Sequence, residues 1–176
     1  MELTNKNEWY RLGQAYLGSS YGDLYIRIYA RWTSQDETNL TSTVQYQARA
    51  YFSGNYIYDA SSNGSISGTS ATTSTFSKSS NYNNGETTLK TIEGTVSHDA
   101  NTGAASVSAS ATLNFPNWSW SATASGTATL PVIDVATLHL RVNGSWIKAT
   151  PYLMINGSWQ KCKAYLRSNG SWKKGV

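Results

Sequence analysis

Three tryptophans sit in one repeated setting. Leu140 to Tyr152 reads LRVNGSWIKATPY, Leu153 to Tyr165 reads LMINGSWQKCKAY, and Leu166 onward reads LRSNGSWKKGV. The period is 13 residues without a gap, so one small structural unit is used three times. Asn143-Gly144, Asn156-Gly157 and Asn169-Gly170 are the preferred centres of two-residue hairpin turns, because both central residues of a type I′ turn need φ > 0. With those turns, Arg141 faces Trp146, Met154 faces Trp159 and Arg167 faces Trp172. Lys148, Lys161 and Lys174 fall on the same face as the tryptophans. This is the chemistry of adhesion: indole rings beside cations form a platform for a sugar or a polyanion, or a basic aromatic surface that packs on a neighbour. An isolated hairpin is marginal in water, which favours the packed reading. The opposite face collects Leu140, Val142, Ile147, Leu153 and Ile155 and turns polar in the last unit.

Signals for catalysis are absent. His98 and His139 are the only histidines and fall in different segments. Neither has Cys, His, Asp or Glu neighbours at metal-ligand spacing. No nucleophile elbow, phosphate-cradling glycine loop or zinc-protease motif occurs. His98-Asp99 reads as a strand end entering a hairpin loop at Asp99-Ala100-Asn101-Thr102-Gly103 rather than as half of a catalytic pair. No enzyme activity, metal or cofactor is expected.

The elements that carry these residues read as strands. From Leu24 to Trp32, Leu24, Ile26, Ile28, Ala30 and Trp32 share one face, and Tyr25, Arg27, Tyr29 and Arg31 the other. Thr43 to Phe52 alternates in the same way, as does the segment from Ala105 to Phe115. Such period-2 alternation predicts antiparallel strands with one buried face. Further strands are expected near 8–17, 55–60, 64–68, 70–77, 86–98 and 118–130, while the Ser/Thr/Asn/Gly-rich stretch from Ser61 to Asn84 also fits an extended loop. Eight or so strands with frequent turns predict an all-β chain: an antiparallel, immunoglobulin-like β-sandwich over residues 1–133, then a module of three hairpins over 134–176. Many inward positions are Ala, Thr or Gly, so tyrosine and tryptophan must supply much of the buried area.

The net charge of +4 in 176 residues hides a division. All ten acidic residues lie within 1–134 together with seven of the basic ones, giving −3, whereas 135–176 holds seven basic residues and no acid, giving +7. A basic tail on an acidic domain calls for a polyanion or an acidic protein surface. The repeat spacing matches no nucleic-acid-binding motif, so no specific nucleic acid is expected. The single cysteine, Cys162, precludes an internal disulfide. No apolar run follows the basic residues of the N-terminus, and none approaches the ~20 residues of a membrane span, so neither a signal peptide nor a membrane partner is expected.

The run TVSHDANTGAASVSASATLNF at 95–115, followed by Trp118, Trp120 and SGTATLPVI at 125–133, resembles a stretch found in minor structural and tail proteins of siphoviruses. Those proteins carry T-V-x-H-(N/D)-A-(D/N)-G, a Ser-rich alternating strand and S-G-x-A-x-L-x-x-I-P. The hydrophobic-Asn-Gly-Ser-Trp-basic repeats are similar to C-terminal repeats on such tail proteins. The resemblance spans about residues 86–176. The chain departs from the pattern at LPVID, where the family has I-P-R, and it lacks the long central portion of the larger members. The resemblance implies an immunoglobulin-like protein of a tailed-phage virion, made in the host cytoplasm. The partly apolar hairpins call for a homo-oligomer or docking to other virion proteins, and the basic tail, on a phage of a Gram-positive host, calls for a host cell-wall glycan or teichoic acid as a further partner. Capsid decoration and a free-standing wall-binding module are the alternatives. The choline-binding repeats of cell-wall proteins are also similar in using Gly-x-Trp hairpins, but they are near 20 residues long and carry a Trp-Tyr-Tyr run that is missing here.

Overall fold

The computed structural model describes residues 1–176 except 19–21, 55–56, 136–137, 150, 163–164, 169–170 and 175–176. For 57–60, 80–81, 138–141, 146–148, 161, 165–168 and 171–174 it describes the backbone alone. Eight long strands come first: β1 (Tyr10–Gly18), β2 (Gly22–Asp36), β3 (Thr41–Gly54), β4 (Ile57–Gly68), β5 (Ala71–Tyr82), β6 (Gly85–Ser97), β7 (Ser106–Phe115) and β8 (Trp120–Thr129). A 3-10 turn over Pro116–Trp118 is the sole helical element among the described residues. The chain is all-β, and its alternating sequences bury the faces that their periodicity marks. Leu24, Ile26, Ile28 and Ala30 of β2 are fully buried, as are Val44, Tyr46 and Ala48 of β3.

The eight strands form one antiparallel sheet in the order β1-β2-β3-β6-β5-β4-β7-β8. This differs from a two-sheet immunoglobulin-like sandwich. After β3 the chain crosses the core, so β4 pairs with β7 instead of with its predecessor, and β5 returns beside β6. The β5–β6 pairing is slight, a single pair of Ala71 opposite Gly94 among the described residues. Two four-stranded halves therefore face each other across the core, hinged at that corner. Ser61 to Asn84, which also fitted an extended loop, lies largely in the two strands β4 and β5.

At the opposite corner the outer strands nearly close the sheet into a barrel. A Cβ on Gly13 of β1 would lie 2.1 Å from the Ser125 carbonyl oxygen, and one on Gly126 of β8 would lie 2.2 Å from that of Leu12. Only glycine lets two backbones approach so closely. Near-closure leaves less sheet edge open to stray pairing.

The core is built as its small inward residues require. The largest fully buried side chains are Tyr46, Tyr82, Phe52 and Phe115, each contributing about 1.5–3 kcal/mol by burial. Tyr46 joins the two halves: its ring lies under Gly68 of β4, and its hydroxyl donates to the Thr69 carbonyl at 3.0 Å. Burial pushes that phenol up to about 12. Every buried hydrophobic residue among those described lies between Leu3 and Ile133.

Beyond Ile133 the sheet ends and three separate two-stranded antiparallel pairs follow. These are β9 (Leu138–Val142) with β10 (Ser145–Ala149), β11 (Tyr152–Ile155) with β12 (Ser158–Lys161), and β13 (Tyr165–Ser168) with β14 (Ser171–Lys174). No helix among the described residues is long and apolar enough to cross a membrane.

Candidate functional site

Two surfaces gather aromatic and charged residues, and the sequence pointed to the first. In the paired strands Arg141 stands opposite Trp146, Met154 opposite Trp159 and Arg167 opposite Trp172. Asn143 and Gly144 have φ of 49° and 83°, and Asn156 and Gly157 have 49° and 77°, the signs a type I′ turn demands. Asn169 and Gly170 lie outside the described residues, as do the side chains of Arg141, Trp146, Lys148, Lys161, Arg167, Trp172 and Lys174. Where side chains are described, the hairpins are unfinished. Trp159 is 67% exposed, and Tyr152, Leu153, Met154 and Ile155 are each at least 40% exposed. Leu153 and Ile155 lie on one face, Tyr152, Met154 and Trp159 on the other. Apolar side chains are thus open to solvent on both sides of a two-stranded sheet, which has no core of its own. Cys162 is half-buried and its amide donates to the Pro151 carbonyl at 3.0 Å, extending the β11–β12 ladder by one rung.

The second surface is the outer face of β1, β2, β3 and β6, which emerges only once the strands are ordered. Its centre is Glu86 of β6. The carboxylate accepts hydrogen bonds from Arg27 at 2.8 Å, Arg49 at 2.9 Å and the Tyr29 hydroxyl at 2.5 Å. Burial raises the Glu86 carboxyl, but the hydrogen bonds from Tyr29, Arg27 and Arg49 outweigh it and hold the group below its ordinary value. The guanidinium groups are stacked as well as paired. The Arg27 carbon lies 3.7 Å from the centroid of the Tyr51 ring, that of Arg49 4.2 Å from Tyr29, and that of Arg31 4.5 Å from Trp9. Next to this cluster Tyr16, Tyr25 and Tyr51 form a row across three strands, with ring centroids 5.4 and 6.3 Å apart. The alternation of Tyr25, Arg27, Tyr29 and Arg31 was visible in the sequence as the outward face of one strand. What was not visible was that Glu86, some sixty residues away, closes the cluster.

His98 resolves as part of the structure of the loop. Its Nδ1 lies 2.7 Å from the Gly103 carbonyl oxygen, which can only accept, so the proton sits on Nδ1. Nε2 then accepts from the Ser42 hydroxyl, also at 2.7 Å. Both side chains are buried, Ser42 at 1% and His98 at 6% exposure. The neighbouring Asp99 carboxylate accepts from the amides of Asn101 and Thr102, holding the turn. We predict that His98→Ala lowers stability by about 1–3 kcal/mol, since it strands the Ser42 hydroxyl in the interior and leaves the Gly103 carbonyl with the Ile133 amide alone. A chemical denaturation midpoint unchanged from wild type would contradict that. Among the described residues no three His, Cys, Asp or Glu side chains gather to hold a metal ion. No protein-family model matches the chain, and neither does any curated protein.

Proposed function

We propose that the chain is a non-enzymatic structural protein of a tailed-phage particle, in which the barrel is a rigid displayed domain and the hairpins of residues 134–176 are its docking module. The observation that carries this reading is the hairpin surface. Tyr152, Leu153, Met154, Ile155 and Trp159 lie 40–67% exposed on both faces of one hairpin, and residues 135–176 carry +7 without an acid. Such a module gains its stability by burying these residues on something else, and its charge selects an anionic surface. Other virion proteins or sister subunits fit the apolar part. The sequence resemblance to siphovirus tail proteins supplies the particle.

A second reading is favoured by the repetition itself. Three evenly spaced Trp–Lys units make a multivalent module, which suits a repetitive wall polymer such as teichoic acid. The test is localisation. Antibody labelling of purified particles of the phage whose genome carries the coding sequence is expected to decorate them at the tail. Protein confined to the infected-cell lysate, with none on the particles, overturns the reading. Labelling on the head places it among capsid decoration proteins instead.

A further inference from the structure

The two halves of the sheet turn very different outer faces to solvent. On β7 every outward position from Ser106 to Asn114 is Ser, Thr or Asn, and so is every outward position from Ser121 to Thr129 on β8. These groups bond to one another: Thr112 to Thr123 at 2.8 Å, and Ser121 to Asn114 at 2.6 Å. That is what a merely solvated strand face looks like in this protein. The β1–β2–β3–β6 face departs from it with Trp9, four tyrosines and four arginines.

The register arranges these residues into a line. Tyr16 stands opposite Tyr25, Tyr25 opposite Tyr51, and Tyr51 opposite Glu86, one residue from each of four adjacent strands. Tyr16 is 50% exposed. Behind the rings, Arg27 and Arg49 are fixed by Glu86 at 2.8 and 2.9 Å. The site therefore offers the open ring of Tyr16, set at 63° to Tyr25 and backed by Tyr51, and, one step along the strands, rigid donors and acceptors. Its position is distinctive too. Leu3 is hydrogen-bonded to Thr129 at the end of β8, and its carbonyl also accepts from the Trp32 indole at 2.8 Å. Tyr25 is seven residues back along β2 from Trp32, roughly 24 Å at the rise of a strand. The tyrosine row thus lies at the end of the barrel away from the point where the chain leaves for the hairpins.

We propose that this face is a glycan-binding site, with a pyranose ring face laid on the exposed ring of Tyr16, which Tyr25 and Tyr51 back, and the sugar hydroxyls met by Arg27, Arg49 and Glu86. A sugar ring has an apolar C–H face and a polar rim, and the surface supplies both in the matching order. The outward positions of these four strands hold no Leu, Ile, Val, Met or Phe, so the face offers apolar contact through aromatic rings alone. The site is separate from the hairpin module, and neither assignment depends on the other.

The test applies the full-length protein to an array of bacterial surface polysaccharides and neutral hexasaccharides, followed by affinity electrophoresis with the retained glycan. Retention of at least one glycan is expected. Tyr16→Ala and Tyr16→Leu should each weaken it five-fold or more, the leucine variant showing that the flat ring and not its bulk is needed. Thr123→Ala, on the plain face, should leave it unchanged, and all three variants should keep the wild-type melting temperature within a few degrees. The proposal falls if no glycan is retained, if retention ignores Tyr16, or if it disappears with Trp159→Ala, which would move the glycan to the hairpins. A protein captured through Tyr16 without any glycan overturns it equally.

Discussion

Gly126→Val is expected to abolish the folded barrel. A Cβ at this position would sit 2.2 Å from the Leu12 carbonyl oxygen and 2.6 Å from its carbon, and the facing Gly13 is held as tightly by Ser125. These are backbone atoms, so no side-chain rotation relieves the overlap. The seam between β1 and β8 must open, and opening it wets Leu17 and Ala124, which are buried on the two strands. Overpacking alone costs about 1–3 kcal/mol, and the exposed core adds to that. Against a typical total of about 5–15 kcal/mol, the sum removes much or all of the stability. Ser125→Ala is the control, because Ser125 is an outward residue on the same strand. Thermal unfolding followed by circular dichroism should show no cooperative transition for Gly126→Val and an unchanged one for Ser125→Ala. A valine variant that melts within a few degrees of wild type would mean that the seam is not a constraint.

Removing residues 135–176 should abolish association with the particle while leaving the barrel intact. The buried hydrophobic residues described all precede Asp134, so the core closes without the hairpins. The melting temperature of the shortened protein is expected to stay within a few degrees of the full chain. Association behaves differently, because the removed segment takes with it +7 of charge and the exposed Tyr152, Leu153, Met154, Ile155 and Trp159. In the full-length protein, binding should weaken as salt rises, since exposed charges are screened over about 8 Å at physiological ionic strength. It should not vanish, because the apolar and indole contribution is largely insensitive to salt. Replacing Trp146, Trp159 and Trp172 together by alanine separates the two: the residual binding at high salt should disappear. Co-sedimentation with particles measures both. If the shortened protein still sediments with particles, docking runs through the barrel, and the role given to the hairpins is wrong.

Local patterns are legible in the residues alone. Alternation at 24–32, 43–52 and 104–115 reflects the period of a strand, which depends only on neighbouring residues, and those segments bury the marked faces, with Trp32 and Ala105 half-buried. Asn-Gly at 143–144 and 156–157 carries its own backbone preference, and both pairs have positive φ. The charge division at residue 135 is a property of composition alone. Strand order was another matter. The pairings of β3 with β6 and β4 with β7 join segments tens of residues apart, and nothing in a strand's alternation names its neighbour. Hence a single sheet closing on itself took the place of a sandwich of the immunoglobulin type. The same limit hid the sites that depend on pairing. Tyr16, Tyr25, Tyr51 and Glu86 form one line only in the observed registers, and Ser42 reaches His98 only because the β2–β3 turn and the β6–β7 loop share an end of the barrel. Gly13 and Gly126 fall inside segments that the sequence marks as strands, but nothing in those segments shows that they are needed for space. Their requirement comes from another backbone passing within van der Waals distance, a fact of packing that no local stretch of residues contains.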